Sequence, residues 1–269
     1  MYWLLSCNSV RPMCVVKVGT CGWSIRGGRK AYFDVFKLIE IQQTFYRLPK
    51  EVTARKWREE APKDFEYTMK AWQVITHPPS SPSWRRANIK VTPELRDKYG
   101  YLKPTEENLK AWEKTLAIAK ALRATVCIFQ TPPSFGYSEE NVRNVEVFFT
   151  TIKRNSLALG WEPRGTWNDN IHIVKLLVDK LDLIHVVDIL RRDSVSTHEI
   201  AYFRLHGLGG REVNYRYKYT DKDLINLAEK VKKYVQEKTA VYVLFNNVYM
   251  AEDAQRFRKI AREMGLEVV

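Results

Sequence analysis

Eight short apolar or β-branched runs recur along the chain, and stretches of helical periodicity separate most of them. Strands are expected over Lys17–Thr20, Leu38–Gln42, Phe65–Ala71, Thr125–Thr131, Leu157–Glu162, Ile184–Ile189, Ala201–His206 and Val241–Asn246. Helices are expected over Glu51–Ala61, Thr105–Ala124, Glu139–Arg154, Asp169–Lys180, Asp221–Glu237 and Ala251–Met264. Thr105 and Thr220 stand where helix starts need a capping hydroxyl, and Gly265 where a helix end needs glycine. Alternation of this kind over 269 residues predicts an α/β fold, a (β/α)8 TIM-like barrel. The barrel is expected to form one domain over 15–269. Residues 1–14 read as an N-terminal extension, with Met13 as an alternative start.

Two connections depart from the repeat. Residues 190–200, between the sixth and seventh strands, are too few for a full crossover helix. Trp72–Lys103, after the third, is long and broken by Pro78, Pro79, Pro82 and Pro93, and is expected to fold over the barrel mouth. An open doubly wound sheet is the rival architecture, but no glycine-rich nucleotide fingerprint follows the first strand.

Charges at the strand ends carry the functional signal. Glu40, Lys70, Glu162, Arg164, Asp188, Arg204 and His206 fall at, or just before, the carboxyl ends of separate strands. A charge in such an apolar run is costly unless it is paired or used. Strand side chains alternate between faces, so Tyr202, Arg204 and His206 share one face while Phe203 and Leu205 take the other. The same parity groups Glu40 with Gln42, Thr68 with Lys70, Ile128 with Gln130, and Leu244 with Asn246. In a barrel these polar positions point inward, at the end where active sites of this architecture lie. Three carboxylates nearly balance three cations, so a self-paired network is the competing reading. Such networks stabilise less well than apolar packing.

A formal net charge of +13 favours anionic partners, either small molecules or nucleic acid. Arg26-Gly27-Gly28-Arg29-Lys30, Arg85-Arg86, Arg191-Arg192 and Tyr215-Arg216-Tyr217-Lys218-Tyr219 follow strands and are expected to make the mouth positive. The last of these also has the aromatic–basic alternation that suits stacking on bases. No run approaches the ~18 apolar residues of a membrane span, so a cytoplasmic protein without a membrane partner is expected. The cysteines Cys7, Cys14, Cys21 and Cys127 form no C-x-x-C pair, and Cys127 reads as a small buried hydrophobe. G-x-S-x-G, H-E-x-x-H and P-loop motifs are absent.

Seven motifs in order resemble the YecE-like family, a domain of unknown function. They are Gly19-Thr20-Cys21-Gly22-Trp23-Ser24, Glu40 through Pro49, Lys70-Ala71 with Ile75-Thr76-His77, and Gln130 through Phe135. Glu162-Pro163-Arg164 with Trp167, Tyr202 through Gly207, and Phe245-Asn246-Asn247 complete the set. The resemblance spans about Val16 to Gly265 and implies a TIM barrel without a known reaction. This chain departs from the family in having Gln42 where Asn is usual, and Gly165 where a His typically follows the Arg.

The expected function is an enzyme acting on an anionic, phosphate-bearing substrate by hydrolysis, isomerisation or lyase chemistry. Glu40, Lys70, Glu162, Asp188 and His206 are the catalytic candidates. Arg164 and Arg204 would clamp the anion, Glu162 or Glu40 would act as base, and His206 as acid. Gln42, Tyr46, His77, Gln130 and Asn246 are the further substrate-binding candidates. No cofactor is assigned. A divalent metal held by Glu40, Glu162, Asp188 and His206 is an alternative use of those donors. A non-catalytic nucleic-acid or nucleotide binder with a Tyr-rich mouth is the second functional reading.

Overall fold

A computed structural model describes residues 14–87, 89–210 and 212–269. The expected extension, with Cys7 and Met13, therefore lies outside the described residues apart from Cys14. Eight parallel strands form the barrel: β1 Val15–Cys21, β2 Leu38–Ile41, β3 Glu66–Lys70, β4 Val126–Gln130, β5 Ala158–Glu162, β6 Ile184–His185, β7 Ile200–Leu205 and β8 Ala240–Phe245. They pair in the order β6-β5-β4-β3-β2-β1-β8-β7. One bridge, Val187 to Phe203, closes the remaining gap, with the Arg204 amide donating to the Val187 carbonyl at 2.9 Å.

Helices α1 Gly28–Val35, α2 Gln43–Tyr46, α3 Glu51–Glu60, α4 Gln73–Thr76, α5 Glu106–Leu122, α6 Glu139–Thr151, α7 Ile171–Lys180, α8 Asp221–Val235 and α9 Met250–Glu263 accompany the strands. The caps read from sequence are present. The Thr105 hydroxyl accepts from the Asn108 amide, and Thr220 forms a reciprocal capping box with Asp223. Gly265 takes a left-handed φ of 82° just past α9. Three short helices were not legible. Gly27-Gly28 reads as a loop, yet Gly27 (φ 99°) merely launches α1, which buries Tyr32 and Phe33. Helices α2 and α4 are single turns, below the length at which periodicity shows.

Alternation along each strand sorts residues into two cores. Val126, Ile128, Ile184, Val186, Tyr202, Tyr242 and Leu244 fill the barrel. Cys127, Phe129, Phe203, Leu205, Val241 and Val243 pack outward in the layer shared with the helices. Along its axis the interior is zoned. At the strand starts, Lys17 donates to Glu66 at 2.6 Å, and the Tyr242 and Thr125 hydroxyls reach the same carboxylate at 2.5 Å. An apolar layer follows, with Tyr202 stacked on Tyr242 at 5.3 Å. The charged layer lies at the opposite end.

In the long connection after β3, α4 and the turn Pro93–Lys98 pack against α5, and the turn Pro82–Arg86 packs against α2. Between β6 and β7 there is no helix, as the spacing required. The strand itself is shorter than Ile184–Ile189, because Asp188 turns the chain by accepting the Arg191 and Arg192 amides on its carbonyl.

Gly19 lets β1 approach β2. A Cβ there would lie 2.4 Å from the Leu38 carbonyl oxygen, so the backbone itself must move. Gly19→Ala is expected to cost about 1–3 kcal/mol and to lower Tm in thermal unfolding by about 2–4 °C per kcal/mol. Val52→Ala, at an exposed position on α3, should leave Tm unchanged.

Candidate active site

Arg204 occupies the centre of the charged layer and is 1% exposed. Its Nε donates to both oxygens of Glu40, at 3.2 and 3.0 Å. Its Nη1 donates to Gln130 Oε1 at 3.1 Å and, through a very short bond, to Glu162 Oε2. One planar guanidinium thus spans two carboxylates, a geometry that a lysine ammonium cannot match. Glu40 also accepts from the Tyr202 hydroxyl at 2.9 Å and from Gln42 Nε2. Thr68 holds that hydroxyl at 2.7 Å. Burial alone would lower the Arg204 pKa, but Glu40 and Glu162 outweigh it and raise it well above the usual range.

Glu162 links this centre to the second arginine. Its Oε1 accepts from Arg164 Nε at 3.0 Å and Nη2 at 2.5 Å. Burial pushes this carboxyl up, yet Arg204 and Arg164 prevail and hold it well below the ordinary carboxylate range. His206 Nε2 lies 3.3 Å from the same Oε1 and 3.1 Å from Arg164 Nη2, while Asn246 Nδ2 donates to Nδ1 at 3.1 Å. Burial lowers the imidazole to about 4, so it is neutral near pH 7. Asp188 stands behind rather than in this group. Its oxygens accept the His206 amide at 2.9 Å and the Leu190 amide at 3.1 Å, which fixes the end of β7. Burial raises its pKa to about 6.

Lys70 differs from its neighbours. It is 5% exposed, and its Nζ donates to Gln130 Oε1 at 3.1 Å, the same oxygen that Arg204 uses. The ring of Phe45 lies 3.9 Å away. Burial, and then Arg204, push its pKa down to about 7. The aromatic face favours the ammonium by about 0.5–2 kcal/mol, less than the roughly 5 kcal/mol that so large a displacement represents. His77 packs edge-on to Phe45 at 5.0 Å, its Nδ1 2.8 Å from the Thr76 hydroxyl, and burial drives it down to about 3.

The structure therefore brings together Glu40, Gln42, Lys70, Gln130, Glu162, Arg164, Arg204, His206 and Asn246 by direct contacts, with His77 beside them. Tyr46 makes no side-chain hydrogen bond to these groups among the described residues, but its ring meets Phe45 edge-on at 5.1 Å. It is half-buried, with Arg86 over its ring at 4.9 Å. Among the described residues no three His, Cys, Asp or Glu side chains converge as a metal site. Glu40 and Glu162 are instead bridged by Arg204.

The rim is less positive than the sequence suggests. Arg29 pairs with Glu60, Arg192 with Glu212 and Lys218 with Glu252. The aromatic–basic stretch does not form a stacking ladder. Tyr217 donates to Asp223 at 2.8 Å, and Tyr219 is buried with its hydroxyl accepting the Gly207 amide at 2.7 Å. Tyr215 alone of the three is well exposed, and it meets His206 edge-on at 6.1 Å. Gly165 adopts a φ of 69° with Pro133 O only 2.7 Å from where a Cβ would stand, so this backbone has no room for a histidine. Phe45, Thr68 and Tyr202 belong to the site without having been singled out. Parity placed Thr68 and Tyr202 inward, but neutral residues carry no cost signal of the kind that marks buried charges.

Two stability tests follow from this wiring. Removing Arg204 leaves Glu40 and Glu162 buried without their shared cation, so Arg204→Met should cost about 3–5 kcal/mol in urea unfolding. His77, His185 and His206 are all held by burial below their ordinary pKa, to about 3, 3 and 4. Their stabilising contribution is present above about pH 6.5 and is lost as pH falls through those values. Asp188 opposes this between about 4 and 6, one carboxyl against three imidazoles. A Tm series from pH 7 to pH 4 should fall steadily below about 6.5, and a flat profile would contradict the burial of neutral histidines.

Residues 18–268 match the family described as "Protein of unknown function DUF72". The UPF0759 protein YunF of Bacillus subtilis (strain 168) is 23% identical over 261 residues, covering 88% of this chain and 86% of that protein. A DUF72 family protein of Enterococcus faecalis V583 superposes with a TM-score of 0.71 at 19% identity, covering 93% of this chain and 98% of that one. For a DUF72 family protein of Thermotoga maritima MSB8 the TM-score is 0.67 at 22% identity, with 92% and 99% covered. A match over nearly the whole barrel, with the strand-end network inside it, places this chain in the DUF72 family.

Proposed function

We propose that the charged mouth is the active site of an enzyme acting on an anionic, phosphate-bearing substrate in the cytoplasm. One observation carries this reading. Arg204 Nη2 is buried and has no hydrogen-bond partner among the described residues, although every neighbouring donor of the same side chain is engaged. A buried donor left unmade costs about 1–3 kcal/mol, more when it is charged. An anionic oxygen delivered by a ligand would remove that cost, and Lys70 Nζ stands close enough to share Gln130 with Arg204. A barrel selected for stability alone would fill this layer with apolar side chains.

The roles shift within the candidate set. Glu162, held low by two guanidinium groups, is a weak base, and Lys70 takes over as the group that exchanges a proton near neutral pH. Arg204 and Lys70 seat the anion, while Arg164 keeps Glu162 aligned. His206, neutral near pH 7, holds the Glu162 carboxylate from Nε2 while Asn246 fixes its Nδ1. Asp188 positions His206 through its backbone. No helix among the described residues is long and apolar enough to cross a membrane. The nucleic-acid alternative loses its main support, because Tyr217 and Tyr219 are occupied in holding their own loop.

Thermal shift with inorganic phosphate tests the pocket. The wild-type Tm should rise along a saturating curve, by mass action on the folded state. Lys70→Met should weaken phosphate at least tenfold, while Arg216→Ala on the exposed rim should not. Lys70→Met should also raise the ligand-free Tm at pH 6. The depressed lysine pKa contributes stability only toward pH 10.5 and loses it as pH falls through about 7, so this gain shrinks toward alkaline pH. An unsaturable rise, identical in both variants, would mean that phosphate acts as a bulk salt and that the mouth is a self-contained network.

A further inference from the structure

We propose that Lys70 is the nucleophile of this site and forms an imine with the carbonyl carbon of an anionic aldehyde or ketone. The inference rests on the mouth being an anion pocket and narrows its substrate to carbonyl compounds. Three features of Lys70 support it. It forms no salt bridge among the described residues, unlike Arg164 and Arg204 beside it. Its amine lies against the face of Phe45 rather than paired with a carboxylate, and the attraction of Glu40 and Glu162 is outweighed by burial and by Arg204. Its single hydrogen bond among the described residues, to Gln130 Oε1 at 3.1 Å, goes to a neutral acceptor that also binds Arg204 Nη1 at 3.1 Å.

An amine that is desolvated and set beside a second cation is the arrangement that makes lysine nucleophilic at neutral pH. The direction of the Lys70 pKa, down to about 7 through burial and Arg204, agrees with that arrangement. The remaining donor of the guanidinium, Nη2, has no partner among the described residues and would hold the carboxylate or phosphate of the same substrate. Anion and carbonyl would then be fixed by neighbouring groups, with the carbonyl carbon delivered to Nζ.

The step balances without a further reagent. The Nζ lone pair adds to the carbonyl carbon as the C=O π bond breaks. The two amine hydrogens leave with the oxygen as water, and a C=N bond remains. An imine in this position withdraws electrons from the adjacent carbon, which suits lyase or isomerase chemistry more than hydrolysis.

Glyoxylate, an anionic aldehyde, is the probe, with sodium cyanoborohydride delivering hydride to the imine carbon and so fixing a stable secondary amine. Peptide mass mapping of the full-length protein reads the site. The expected result is saturable labelling of Lys70 at least tenfold faster than at exposed lysines such as Lys56, slowed by inorganic phosphate. Lys70→Met and Lys70→Arg should both remove the fast-labelled peptide. Labelling of Lys70 no faster than Lys56 overturns the imine. If phosphate still raises Tm along a saturating curve, the anion pocket survives that failure. If it does not, both readings fall together.

Discussion

One buried guanidinium organises the charged end of this barrel. Arg204 ties β7 to β2 through Glu40, to β4 through Gln130 and to β5 through Glu162, so four strand ends meet on a single side chain. Desolvating such an ion is expensive, and its attraction to two carboxylates roughly offsets the expense only because the fork geometry satisfies most of its donors. The rest of the layer is arranged around it. Tyr202, Thr68 and Gln42 complete the shell of Glu40, while Arg164 and His206 complete that of Glu162.

The zoning of the interior explains why this end differs from the other. Glu66 and Lys17 form a neutralised ion pair at the strand starts, supported by the Tyr242 and Thr125 hydroxyls. Above them the apolar layer of Val126, Ile128, Val186 and Leu244 keeps the barrel centre free of charge. At the strand ends, by contrast, the charges are not all satisfied within the protein. Among the described residues Arg204 Nη2 makes no hydrogen bond and Lys70 no salt bridge, and these two departures from self-pairing support the proposed binding site over a structural plug.

Much of this was legible in the sequence. The eight strand runs, the missing helix before Ala201 and the inward parity of Arg204 with Tyr202 follow from period and spacing alone. The seven strand-end charges were found because a charge inside an apolar run has a free-energy cost that must be met somewhere. Period and cost, however, say nothing about pairing. They could not show that Arg204 rather than Arg164 holds the centre, or that Asp188 faces the backbone of His206. They also overstated the rim, because Glu60, Glu212 and Glu252 are distant in sequence from the cations they neutralise. Phe45 shows the same limit. It lies in a one-turn helix too short to read, and only the folded chain brings its ring against Lys70.

Arg204 Nη2, without a hydrogen bond among the described residues, is the proposed ligand seat. The most direct measurement is a crystal structure of the protein soaked with inorganic phosphate. A phosphate oxygen within about 3 Å of Arg204 Nη2, with Lys70 Nζ on the same anion, is the predicted result. Phosphate confined to the outer rim, with Nη2 turned onto a protein oxygen, would contradict it.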